Sequence, residues 1–107
     1  MKPFRETHTA RREVDAGVDY YLSQAGADVA LAFLAEYEAA LEHMRTHPGT
    51  GSPRYGEVLD IDGLRFWMLK RFPYAVFYIE RDAYIEVVRV LHQYSDIPVH
   101  LQIGEAR

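Results

Sequence analysis

Cysteine is absent from this 107-residue chain, which excludes a disulfide framework and any thiolate metal site and suits a reducing cytoplasm. Long apolar runs are absent too, and nothing approaches the roughly 20 apolar residues that a membrane-spanning helix needs. Met1 to Arg12 mixes charges of both signs without an apolar stretch, so no secretory leader is visible. There is no basic excess. Twelve Lys and Arg stand against 16 Asp and Glu, a formal net charge of −4. A protein that grips nucleic acid by neutralising phosphates ordinarily shows the opposite balance. Internal repeats and low-complexity tracts are missing, as are a Ser/His/Asp set, a phosphate-cradling glycine loop and a pair of catalytic carboxylates.

What is present is an ordinary globular composition, 49% apolar and 26% charged, in a length that can bury one core. We therefore expect a single domain over residues 1–107. Phe4 to Thr9 alternates weakly and reads as a short first strand. Between Arg11 and Ser23, Val14, Val18, Tyr21 and Leu22 fall on one face of a helix, and Gly26 supplies a stop. Ala30, Phe33, Leu34, Tyr37, Leu41 and Met44 mark a second amphipathic helix that ends at His47-Pro48-Gly49. A short link joins the two as an αα-hairpin. Residues 48–56 read as a loop, and Glu57 to Ile61 as a short strand. Residues 63–92 hold three β-rich runs joined by two short polar turns, an apolar strand after Gly63-Leu64-Arg65, a strand that follows the basic Phe72-Pro73-Tyr74 turn and ends in Phe77-Tyr78, and Ile85–His92, and they predict an antiparallel meander. Past Pro98, the alternation of Val99, Leu101 and Ile103 predicts an edge strand or a segment lying on a partner. The expected fold class is α+β, with a helical hairpin packed on one side of a twisted antiparallel sheet.

Few residues suggest chemistry. His43 and His47 are spaced to share a metal, but a zinc site needs three or four ligands and no third is suggested, so no metal or other cofactor is expected. Asp60-Ile61-Asp62-Gly63 starts like a calcium loop but lacks its later ligands, and a turn is the simpler reading. The second helix presents Glu36, Glu38 and Glu42, which would repel a phosphate backbone, so direct DNA binding is not expected. A basic patch is conceivable at Arg65, Lys70 and Arg71, since no acidic residue falls between Gly63 and Ile79. Trp67, Phe72, Tyr74, Phe77 and Tyr78 concentrate aromatic surface that suits a core or an interface.

Metal-free RNA cleavage would need a base, an acid and cations, which Arg65, Lys70, Arg89, His92 and Tyr94 can supply. A regular strand puts Arg89 on one face with Val87 and Leu91, and His92 on the other with Val88 and Val90. The plainer reading is that Arg89 lies at a sheet edge and His92 closes the strand.

In order and spacing, several motifs resemble the RelE/ParE toxin superfamily. They are Asp19-Tyr20-Tyr21, Ala32-Phe33-Leu34, His47-Pro48-Gly49-Thr50-Gly51 with Arg54, Gly63-Leu64-Arg65, Phe72-Pro73-Tyr74, Phe77-Tyr78 and Val90-Leu91-His92. The Phe-Pro-Tyr turn points to the ParE-like, plasmid-stabilisation branch. The resemblance implies the toxin of a type II toxin–antitoxin module, silenced by a cognate antitoxin whose C-terminal segment wraps it. The ParE branch implies poisoning of DNA gyrase, and the RelE branch implies ribosome-dependent mRNA cleavage. The acidic balance favours a protein target, so we expect a non-enzymatic, cytoplasmic gyrase inhibitor that meets its target through Arg65, Lys70 and Arg71. The nuclease alternative would use Arg65, Arg89, His92 and Tyr94. Many members carry an arginine where this chain has Ser95, which leaves a third alternative, an attenuated toxin that only binds its antitoxin. Tyr21, Phe33 and Tyr37 are the expected antitoxin contacts, although each is equally explicable as core.

Overall fold

Thr7 sets the start of the first helix. In the computed structural model, which describes residues 2–94 and 97–105, its Oγ1 accepts the Ala10 N–H at 3.0 Å and donates to the Val88 carbonyl at 2.8 Å. One side chain thus caps a helix and ties it to the sheet. Helices α1 (His8–Ala25) and α2 (Ala27–Thr46) form the expected hairpin, reversing at Gly26, whose φ of 96° favours glycine. The two helices approach closely at Gly17, where a Cβ would lie 2.8 Å from the Phe33 ring. Leu22, which the spacing put on the apolar face, is exposed.

Four strands, β1 (Phe4–Glu6), β2 (Leu64–Met68), β3 (Tyr74–Glu80) and β4 (Ile85–His92), lie in the order β1-β4-β3-β2. The last three are the antiparallel meander. The first is shorter than the alternation suggested and pairs parallel to β4, with Phe4 opposite Ile85, so the sheet is mixed. Where β1 ends, the Glu13 carboxylate takes over the edge of β4 by accepting the Val90 N–H at 2.8 Å. Unpaired strand edges invite association, and here a helix side chain closes one.

The face assignments along β4 need correction. The β3–β4 register shifts between Phe77 and Tyr78, so that Arg89 stands opposite Phe77 but Val87 opposite Tyr78. A bulge adds one residue and reverses the alternation beyond it. Val87 and Val90 consequently share the core under the helical hairpin, whereas Val88 and Leu91 pack on the other face.

That other face is also covered, which the expectation of helices on one side did not include. Helix α3 (Arg54–Leu59) occupies positions read as loop and strand, and α4 (Ile97–Glu105) replaces the expected edge strand. The six residues of α3 make fewer than two turns, too few for a helical periodicity to show. Helix α3 begins after Pro53 and stops at Asp60, which adopts the left-handed conformation and donates its N–H to the Gly56 carbonyl. In α4, Ile97 and Leu101 stand four apart and bury against the cluster holding Phe77 and Leu91, while Val99 is exposed. The alternation had concealed a helical i, i+4 pair.

Candidate functional site

Each suspected residue answers first to its local partners. Arg65 is the second residue of β2, directly across from Tyr78. Its guanidinium donates to the Gly51 carbonyl at 2.7 Å, and the Tyr78 hydroxyl donates to the Pro48 carbonyl at 2.8 Å while accepting the Gly51 N–H at 2.9 Å. A Cβ on Gly51 would collide with that hydroxyl. Burial raises the Tyr78 phenol above its ordinary range, against the opposing pull of the Gly51 N–H and the Arg65 charge. Arg65 and Tyr78 therefore pin the connector between α2 and α3.

Arg89 is more deeply committed. It is 7% exposed and grips the Glu13 carboxylate with Nε at 3.1 Å and Nη2 at 2.6 Å, while Nη1 donates to the His100 carbonyl at 2.8 Å. One guanidinium thus joins α1, β4 and α4. Such a forked, largely buried pair is among the stronger charge-assisted contacts.

His92 lies at the end of β4, edge-on to the Tyr74 ring and beside the Tyr94 ring, with centroids 5.2 Å away in both cases. Its Nδ1 accepts the Tyr94 N–H at 3.2 Å, which leaves Nε2 to carry the proton of the neutral ring. The Tyr94 side chain is exposed. His92 and Tyr94 come together, but Arg65 and Arg89 do not join them. Arg65 stands opposite Tyr78 and His92 opposite Tyr74, roughly 13 Å apart along β3. Arg89 faces the opposite side of the sheet, with Phe77. No base-plus-cation cluster forms from the four. Ser95, the position that departs from the resemblance, lies outside the described residues.

The β2–β3 turn carries Lys70 and Arg71. Both are exposed, but they are not equivalent. The Arg71 N–H and Nε donate to the two oxygens of Glu36 on α2, at 2.9 and 3.0 Å. Burial works to raise the Glu36 carboxyl, yet its bonds to Arg71 and to the Lys70 backbone outweigh it and hold it below the usual carboxylate range. Lys70 borders a shallow groove of about 280 Å³ between α2 and β2, lined also by Glu36, Ala40, His43, Trp67 and Leu69. Sequence reasoning missed Glu36 as a partner of this turn, since a contact across 35 positions leaves no local signal. The His43 ring of this groove lies tilted against Trp67 at a centroid distance of 4.5 Å and stacks on His47 at 5.2 Å. Among the described residues, no group of three His, Cys, Asp or Glu side chains could hold a metal.

The three residues expected to face an antitoxin lie on the inner side of the hairpin. Phe33 and Tyr37 are fully buried, so both belong to the core. The Tyr37 hydroxyl donates to Glu6 at 2.6 Å, and burial together with this bond raises the phenol far above its ordinary range. Tyr21 is half-buried against Phe33 and Phe72 and touches the exposed Tyr20 at a centroid distance of 5.2 Å. The apolar side chains on the hairpin's open surface are Tyr20, Leu22 and Leu31. No helix among the described residues is long and apolar enough to cross a membrane.

A two-helix hairpin against a four-stranded mixed sheet defines a small α+β protein. Residues 5–97 match the family described as the ParE toxin of the type II toxin–antitoxin system parDE, and the chain belongs to that family. It is similar to Toxin ParE1 of Caulobacter vibrioides, with 29% identity over 103 residues that cover 94% of this chain and 99% of the relative. It also shares its fold with a structure titled as the chromosomal ParDE TA system from P. aeruginosa. That match has a TM-score of 0.71 and 21% identity, over 86% of this chain and 96% of the other.

Proposed function

We propose that this ParE-type toxin acts in the cytoplasm by binding DNA gyrase, without catalysis of its own, and is neutralised by a cognate antitoxin. One observation carries the choice over RNA cleavage: both arginines of the would-be nuclease set are spent inside the fold, Arg65 on Gly51 and Arg89 on Glu13 and His100. A nuclease needs such cations free to meet a crowded phosphate. The acidic net charge points the same way. The target surface on this reading includes the basic turn at Lys70 and Arg71, with Arg65 supporting the neighbouring connector. The antitoxin covers the exposed part of Tyr21 and its neighbours Tyr20 and Leu22, since clustered aromatic and aliphatic side chains suit the centre of an interface.

The test is to induce the chain alone in a bacterium and follow DNA and protein synthesis in the first minutes. DNA synthesis falling first supports the gyrase reading, and inhibition of supercoiling in vitro then follows. Protein synthesis falling first sinks it and turns attention to the adjacent His92 and Tyr94. Tight antitoxin binding without growth arrest identifies an attenuated toxin instead.

A further inference from the structure

We propose that Glu36 is the positioning residue of the β2–β3 turn, and that its grip on Arg71 leaves Lys70 as the cation that meets the target. The inference rests on the reading that this turn faces the target. The turn has little internal support. Within it, the Leu69 N–H donates to the Tyr74 carbonyl at 3.0 Å and the Tyr74 N–H to the Phe72 carbonyl at 2.8 Å, while the Pro73 carbonyl accepts the Gln93 N–H at 2.8 Å. The backbone N–H groups of Lys70 and Arg71 instead turn toward one carboxylate on α2. Backbone donors without a ladder partner need an acceptor, and Glu36 supplies it from a rigid element.

The two cations of the turn then separate by role. Arg71 is held by Glu36 and lies near the Phe72 ring, its guanidinium carbon 5.9 Å from the centroid. Its charge is already compensated. Lys70 has no ion-pair partner among the described residues and stands at the rim of the apolar groove that Trp67 and Leu69 help to line. A partner that places an apolar side chain in the groove brings a neighbouring carboxylate within reach of this ammonium. Glu36 thus acts on the target only through the turn that it orders.

A double-mutant cycle on the full chain tests this, read as inhibition of DNA supercoiling with thermal melting beside it. Lys70→Ala is expected to raise the half-inhibitory concentration about tenfold, Glu36→Ala by a similar factor, and the double variant no further than either alone. Glu36→Gln keeps an acceptor for the Arg71 N–H and should recover part of the loss. It also carries the cycle if Glu36→Ala does not fold. Unchanged inhibition by Glu36→Ala, or a double variant showing the product of the two losses, overturns the proposal. If the wild-type chain leaves gyrase untouched, the gyrase reading fails on its own, and the cycle is read as growth arrest. Non-additivity there still supports the positioning role. A wild-type chain that neither inhibits nor arrests overturns both.

Discussion

Thr7 shows how much one side chain can hold. Its hydroxyl accepts from the first turn of α1 and donates to β4, at the point where the bulge begins. Thr7→Ala removes both bonds and should cost about 1–2 kcal/mol, read as a lower melting temperature with the fold intact by circular dichroism. Thr7→Ser should cost less, because it keeps the hydroxyl. At the same scale, Glu36 predicts a pH effect. Its carboxyl is held below its ordinary range in the folded chain, so its contribution is fully present above the unfolded value near 4.5 and is lost as pH falls through the folded value. Wild-type stability should therefore drop faster than that of Glu36→Gln below about pH 4.5 in denaturant titrations. The gap should stay near or below about 1 kcal/mol, since Arg71 is largely exposed and water screens the pair. Equal pH profiles would remove the ion pair from the account.

At the scale of elements, the sheet is a divider between two cores, and the connections across it decide what each helix can do. Arg89 is the chief of these, because it joins α1 to β4 and reaches around to α4. Arg89→Ala leaves Glu13 partly buried without its cation and should destabilise the fold by about 3 kcal/mol. Removing both charges, as Glu13→Gln with Arg89→Met, should cost clearly less, since no unpaired ion remains. Urea unfolding of the wild type, each single variant and the double variant checks the ordering. A double variant as unstable as Arg89→Ala would show that the loss comes from packing and the bond to α4, not from the stranded carboxylate. Helix α4 illustrates the same dependence. Its Ile97 and Leu101 gain their value only because Phe77 and Leu91 offer them a surface.

For the whole molecule, charge sets the kind of encounter. A chain of net charge −4, in which Lys2, Arg11, Arg45, Arg71, Arg81 and Arg89 are paired with nearby carboxylates, has little long-range pull toward a phosphate backbone. We expect no retarded complex with short duplex DNA at about 0.15 M ionic strength in a gel-shift experiment. Strong retardation that collapses on adding salt would contradict that picture. Association with a protein partner should instead depend on buried apolar and aromatic contacts, with Lys70 adding direction. Family membership, read from residues 5–97, states what kind of protein this is. The target remains the proposal, and the order in which DNA and protein synthesis fail decides it.

The hairpin, the meander and the family were legible in the chain itself because each depends on local order. Helical spacing from Val14 to Met44, the Gly26 stop and the alternating strands around Phe72-Pro73-Tyr74 act between near neighbours. Helices α3 and α4 were not legible, since one has six residues and the other buries Ile97 and Leu101, a pair whose spacing also fits strand alternation. Nor was the site. The bulge at Val88 and Arg89, the parallel pairing of β1, the burial of Phe33 and Tyr37, and the partners of Arg65, Arg71 and Arg89 all join residues far apart in sequence. A side chain's type says what it can bind, but only packing decides whether that capacity is left for a partner or used within the fold.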